Sequence, residues 1–420
     1  LKVYPLRRKK RTDILTIFNG GECMMYETVT KKTGILYVGS EPKMPVERPE
    51  TPPIYVSTAN IICDMDDYDN ASQGNKYYYC RTANPNRDNV ADAVSFLEQG
   101  EQSLVCSSGM AAISTTLLSL AKAGDHIITS NAIYGETIEL FERIITKFGM
   151  EVTYVDLTNR EEVQRAVKDN TKIIYTEIIT NPLIRVVDID SIVDIAHRAG
   201  ALVVVDSTFT TPFALRPLEH GADIVIHSMT KYFGGHSDLT AGCITGRNEL
   251  MKKIYADYLL FGTCLDPNSS WLMLRSIRTM EMRVSRQFAN AKALAEALQE
   301  DCHVRYVNYP SLINHPQHEL AMQLMPNGCG AMLSFRVEDD REKVNEFMHR
   351  LKLVKYLGTL GGYKTTIAHP ATAFRFEFTP EQLIKMGMEE GLIRISVGIE
   401  DIQDLIADFR QALTVFAKAK

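Results

Sequence analysis

Between Asp125 and Gly246, short apolar runs recur at regular intervals: His126 to Thr129, Val152 to Val155, Lys172 to Ile178, Ala201 to Val205, Asp223 to His227 and Thr240 to Thr245. Segments with helical spacing separate them. Runs that are apolar on both faces and divided by helices predict an α/β fold, a mainly parallel sheet covered by helices on each side. Ligands of such sheets gather outside the carboxyl ends of the strands. Asn181, Asp206 and Lys231 each follow the carboxyl end of one of these runs, so three separate segments are expected to meet in one crevice.

The run D-I-V-I-H leads directly into S-M-T-K-Y-F-G-G, residues 228 to 235. Alone, that stretch reads as a surface lysine in a loop. Placed at the crevice, Lys231 with the Ser228 and Thr230 hydroxyls suits a lysine that holds a phosphorylated aldehyde cofactor, pyridoxal phosphate: the amine reaches the carbonyl and neutral donors meet the phosphate. Asp206 closes A-L-V-V-V-D, either as a turn residue or as the partner of a cationic ring nitrogen; a buried strand rarely ends in an unpaired charge, which favours the second. S-S-G-M-A-A-I at 107 to 113 opens a helix running to about Ala121, and a Ser-Gly entry leaves backbone N–H groups pointing at a ready anion site. Tyr79 and Arg81 lie in Y-C-R-T-A-N-P, where an Asn-Pro turn and an anion clamp are equally good accounts. Arg394 sits in the apolar strand L-I-R-I-S-V-G, where it needs an anion: a substrate carboxylate, or Glu400 or Asp401 in a structural ion pair.

At 420 residues the chain exceeds one compact core. The expected division is an N-terminal extension and arm over 1–75, a cofactor-binding α/β domain over 76–265, and a linking helix with an α+β domain over 266–420. In the last, a helix from about Pro267 to Glu300 precedes strands at His303 to Tyr309, Ala331 to Val337 and Leu392 to Val397, and a final helix begins near Asp401. The first fifty residues read as irregular, with the basic run Arg7 to Arg11 as a solvated tail or an address; the start at Leu1 leaves room for residues upstream. A net charge of −6 gives no reason to expect nucleic acid. No apolar run has the length of a membrane span and no signal-peptide pattern is visible, so no membrane partner is expected. The eight cysteines contain no C-x-x-C pair, which argues against a zinc site and for reduced thiols in a cytoplasmic protein.

From about residue 50 onward the chain resembles the Cys/Met-metabolism family of pyridoxal-phosphate enzymes. The resemblance is carried in order by T-P-P-I-Y at 51, Y-C-R-T-A-N-P at 79, S-G-M-A-A at 108, I-Y-G-E-T at 133, T-N-P at 180, V-D-S-T-F at 205, S-M-T-K-Y at 228, G-H-S-D at 235 and R-I-S-V-G-I-E-D at 394. Methionine γ-lyases look most similar. The resemblance implies fold type I, with a seven-stranded mainly parallel sheet and a smaller C-terminal domain. It implies Lys231 as the residue that condenses with the cofactor aldehyde and later moves protons, Asp206 on the ring nitrogen, and Tyr134 stacked on the ring and serving the leaving group. Gly109, Met110, Ser228 and Thr230 would hold the phosphate, with Tyr79 and Arg81 reaching in from a neighbouring subunit of a homotetramer with shared sites. Arg394, Asn181 and Thr359 would bind the carboxylate of a small amino-acid substrate. The implied activity is γ-elimination; γ-replacement, or cofactor binding without efficient catalysis, are the alternatives.

Some positions depart from the family. Glu136 stands where methionine γ-lyases have cysteine and many relatives glycine, Thr359 replaces the usual serine, Arg375 falls where a histidine is usual, and Lys364 is similar to the sulfhydrylases. An added acid and cation near the distal pocket suggest a polar or charged γ-substituent.

Overall fold

The computed structural model describes residues 49–74, 76–130, 132–375 and 379–417, with the backbone of Leu15–Asn19 and Glu22–Tyr26. The chain forms two compact units, residues 1–83 and 84–420. In the first, the leading segment is not wholly irregular: Leu15–Asn19 pairs antiparallel with Glu22–Tyr26, Leu15 opposite Tyr26. Two apolar runs flanking Gly20-Gly21 are a hairpin signal. The basic run Arg7 to Arg11 lies outside the described residues. Helix Met65–Ser72 is capped by Asp64, whose carboxylate accepts from the Asp67 N–H at 2.8 Å, and the Arg81 guanidinium lies 5.4 Å over the Tyr79 ring.

In the second unit, strands β1 Gln102–Cys106, β2 His126–Thr129, β3 Glu151–Tyr154, β4 Thr171–Glu177, β5 Leu202–Asp206, β6 Ile224–His227 and β7 Gly242–Gly246 form one sheet in the order β1-β7-β6-β5-β4-β2-β3. β7 runs antiparallel to both β1 and β6; the other pairs are parallel. Strand alternation sends Ile174, Val203 and Val205 into the core on one face and Ile173, Val204 and Ile226 into the core on the other, hence the unbroken apolar runs. The useful helices are α1 Pro85–Glu98, α2 Gly109–Leu120, α3 Gly135–Leu140, α4 Pro267–Ile277, α5 Met280–Gln299 and α6 Ile402–Leu413. The start of α2 rests on β7, where a Cβ at Gly242 would lie 2.1 Å from the Ser108 carbonyl oxygen. Only a residue without a side chain allows that approach.

The expected helix from Pro267 to Glu300 is two helices. Thr279, at φ of −112° and ψ of 8°, leaves the helical region between them, and the Arg283 guanidinium on α5 takes the Ser276 carbonyl at the end of α4, at 2.9 Å. A five-stranded sheet follows, β8 Tyr306–Asn308, β9 Met332–Arg336, β10 Lys355–Tyr356, β11 Thr366–Ala368 and β12 Leu392–Ser396, in the order β8-β9-β12-β11-β10. β12 is central, with Arg394 opposite Ser334 on one side and Ala368 on the other. The expected boundary at 265/266 falls inside this second unit.

Candidate active site

The carboxyl ends of β4, β5 and β6 open into a cavity of about 230 Å³. One wall is the first turn of α2. Ser108 caps it, its Oγ accepting from the Ala111 N–H at 3.0 Å, and the N–H groups of Gly109 and Met110 lie ahead of the first intrahelical bond, Ala112 N–H to Ser108 O. This end therefore presents donors and the positive end of the helix dipole to the cavity. A Cβ at Gly109 would sit 2.9 Å from the Ser228 hydroxyl oxygen, filling the cradle between them.

Asp206 ends β5 at 8% exposure. Its Oδ1 accepts from the Thr208 N–H at 3.0 Å and the Thr208 hydroxyl at 2.5 Å. Burial pushes its pKa up, and the Thr208 bonds oppose the rise. Glu177, ending β4 one strand away, is also buried and accepts from the Tyr134 N–H at 2.8 Å. Its burial and the charge of Asp206 push it well above the usual carboxylate range. That bond orients Tyr134 at the entry to α3. Burial raises the Tyr134 phenol and the nearby Glu136 carboxylate raises it further, so the phenol stays protonated.

Lys231 sits half-buried in a tight turn in which its N–H bonds to Ser228 O at 3.1 Å and its carbonyl accepts from Gly235 N–H at 2.7 Å. Burial lowers the pKa of its amine, as does the charge of Arg394, and Glu136 opposes both. Ser228 is held by the Thr208 hydroxyl on its N–H at 2.8 Å. The Thr230 hydroxyl donates to Ala241 O and accepts from the Ala241 N–H, so it braces the turn against the loop before β7. Gly361, with φ of +74°, packs on this turn from the opposite side: a Cβ there would lie 2.7 Å from the Tyr232 nitrogen and 2.9 Å from the Lys231 carbonyl carbon.

Arg394 points from β12 into the same cavity and donates to Asn181 Oδ1 at 2.9 Å. Glu400 and Asp401 are engaged elsewhere, Glu400 with Thr365 and Asp401 as the cap of α6. Of the sequence candidates, Gly109, Met110, Tyr134, Asn181, Asp206, Ser228, Thr230, Lys231 and Arg394 all line the cavity. Thr359 lies between the lining residues Gly358 and Leu360, with its carbonyl accepting from Thr366 at 3.4 Å. Glu136 is exposed beside Tyr134. Arg375 is exposed at the end of the helix Pro370–Phe374, whose Phe374 ring lies 3.3 Å from where a Gly135 Cβ would stand. Tyr79 and Arg81 belong to the first unit. Sequence reasoning missed Glu177 and Thr208. Glu177 carries the same signal that singled out Asp206, an acid closing a buried strand, and Thr208 stands two residues beyond that aspartate.

Residues 32–414 match the family described as Cys/Met metabolism PLP-dependent enzyme. The chain belongs to this family. It is 42% identical over 344 residues to the cystathionine γ-lyase of Bacillus subtilis (strain 168), covering 82% of this chain and 90% of that one. It is 38% identical over 372 residues to the L-methionine γ-lyase of Fusobacterium nucleatum subsp. polymorphum, covering 86% and 92%. Among solved structures, cystathionine γ-synthase from Xanthomonas oryzae pv. oryzae, in complex with aminoacrylate and cysteine, matches with a TM-score of 0.82 and 35% identity, over 87% of this chain and 93% of that one. As a PLP-dependent enzyme of the Cys/Met family, the chain uses pyridoxal 5'-phosphate as cofactor. The cavity fits that group: a helix terminus for the phosphate, a buried carboxylate for a cationic ring, and an amine of lowered pKa for the aldehyde.

Proposed function

We propose that the protein is a γ-elimination lyase that acts on γ-substituted L-amino acids of the methionine, homocysteine and cystathionine class, releasing an α-keto acid, ammonia and the leaving group. The observation that carries this reading is that Lys231, Asp206 and the Arg394–Asn181 pair line one cavity. Bound pyridoxal phosphate supplies a sink for the electrons left at the substrate's α-carbon. Asp206 would face the ring nitrogen and hold it protonated, with Tyr134 against the ring. The N–H groups of Gly109 and Met110, with Ser228 and Thr230, would hold the phosphate. Arg394 and Asn181 would take the substrate carboxylate, with Thr359 behind them, and thereby aim the α-proton at Lys231. An amine of lowered pKa is readily neutral, which suits Lys231 to remove that proton and then to shuttle the β-proton whose loss lets the γ-substituent leave. Tyr134, kept protonated, is suited to donate to the departing group.

The test is the yellow band of the purified protein with its cofactor, together with release of ammonia and 2-oxobutanoate from methionine and cystathionine. Both products are expected without any added thiol. A new thioether amino acid formed from an added acceptor thiol, with no ammonia or 2-oxobutanoate, would favour γ-replacement; a yellow protein that turns over no γ-substituted amino acid would sink both readings.

Glu136, whose charge acts on both Tyr134 and Lys231, would put a carboxylate on the leaving-group side. Arg375 sits at the end of the helix packed on the start of α3. This end of the site would favour a polar or charged γ-substituent over methylthio. Glu136→Ala is expected to shift the rate ratio of cystathionine to methionine by about tenfold; equal ratios in variant and parent would discard the idea. A homotetrameric, cytoplasmic enzyme goes with this reading, with Tyr79 and Arg81 completing the phosphate site of a neighbouring subunit. Full activity in a sedimenting monomer would count against that assembly.

A further inference from the structure

Helix α5 carries three buried polar residues at i, i+4 and i+7, on the face where an apolar stripe is expected: Arg283, Gln287 and Asn290, at 7%, 0% and 2% exposure. All three donate to backbone carbonyls of cavity-lining segments or their immediate continuations. Arg283 bonds to Tyr232 O at 2.8 Å and Phe233 O at 3.2 Å, the two residues after Lys231. Gln287 spans two segments with one amide, reaching Gly362 O at 2.8 Å, in the loop that includes the lining residues Gly358 and Leu360, and Val397 O at 3.2 Å, just beyond the strand that carries Arg394. Asn290 holds Gly398 O at 3.1 Å and Glu400 O at 2.8 Å.

The three segments also touch one another. Tyr363 N–H bonds to Gly235 O and Ile399 N–H to Tyr363 O, each at 3.0 Å. Among the described residues Arg283 forms no ion pair, and burial lowers its pKa to about 10. A cation placed there for charge pairing would have an acid; this one has carbonyl oxygens, so its task is to hold backbone.

We infer that Arg283, Gln287 and Asn290 are positioning residues that set the distance between Lys231 and Arg394, so that a substrate held by its carboxylate presents its α-carbon to the lysine. This inference rests on the function proposed above. Gln287 is its centre, because of the three it alone bonds both the loop at Gly362 and the end of β12. Loss of its amide leaves two inward carbonyls without that donor, and the segments must move to find others. A displacement of about 1 Å at a reacting centre is worth up to about 100-fold in rate.

The experiment compares Gln287→Met with the parent enzyme, both loaded with pyridoxal phosphate. Binding of L-methionine is measured against 3-(methylthio)propylamine, the same molecule without its carboxylate, alongside the yellow band and the melting temperature. The expected result is an unchanged band, because Lys231 and Asp206 are held by other bonds, with preference for the carboxylate-bearing ligand reduced about tenfold or more. Gln287→Asn, which keeps the amide but withdraws it from both carbonyls, is expected to act the same way and serves if the methionine variant does not fold. A lower melting temperature with the preference intact in a yellow variant would overturn the inference while leaving the proposed function standing. A parent enzyme that never turns yellow, or shows no preference for the carboxylate, would overturn both.

Discussion

Lys231→Ala is expected to lower turnover at least about 1000-fold without unfolding the chain. The turn that carries Lys231 is built from backbone: the Lys231 N–H to Ser228, the Gly235 N–H to the Lys231 carbonyl, and Gly361 packed on the main chain at 231 and 232. None of these needs the side chain, so the loss reports chemistry. In the proposed reaction the amine has two tasks, attaching the cofactor and moving a proton, and alanine removes both. Lys231→Arg separates charge from basicity, since guanidinium does not give up its proton in this range; it is expected to be as inactive as the alanine variant. Ammonia release measured on both proteins, with circular dichroism to verify the fold, decides the matter. Activity above about one hundredth of the parent would remove Lys231 from its role.

Asp206→Asn is expected to cost about 100- to 1000-fold in turnover while the protein still takes up the cofactor. Asparagine fills the same space, and its Oδ1 can still accept from Thr208, so the scaffold is kept and the negative charge is lost. Without that charge nothing in the site favours a protonated ring, and the electron sink weakens. A pH signature follows. Burial raises the pKa of Asp206, and Glu177 is raised by its own burial and by Asp206. Folded values above the unfolded ones make ionisation costly. Their contribution to the stability of the cofactor-free chain is therefore greatest at low pH and is lost as pH climbs through these raised values. Asp206→Asn should flatten that slope. Melting temperature against pH, with and without the substitution, tests the sign; a parent-minus-variant difference that rises with pH would contradict it, and parent-like turnover in the variant would contradict the role of the charge.

Most of the parallel sheet was legible because β2, β4, β5 and β6 are buried on both faces, and a run such as L-V-V-V-D has few other uses. β1 was not. Q-S-L-V-C is short and runs directly into the α2 cap, and it joins the sheet only through antiparallel pairing with β7, which no local pattern announces. The break between α4 and α5 was equally invisible, since Arg278 and Thr279 carry no breaker, yet Thr279 leaves the helical region and Arg283 takes the Ser276 carbonyl. Site residues that follow strand ends were found by that rule. Arg283, Gln287 and Asn290 were not, because polar residues along a helix read as a solvated face until the carbonyls they meet are seen. Glu177 was passed over because the expected run extended to Ile178, which put it inside the strand, whereas the strand ends at Glu177 itself.

The close packing of Gly361 on the lysine turn bears on attempts to retune the enzyme. A loop transplanted from another member of the family, or a library diversified over 358–362, has one fixed point: any side chain at 361 would push against the main chain of Lys231 and Tyr232 and would require a left-handed backbone twist that strongly favours glycine. Variation belongs at its neighbour Thr359, where new specificity can be sought without dislodging the reactive amine.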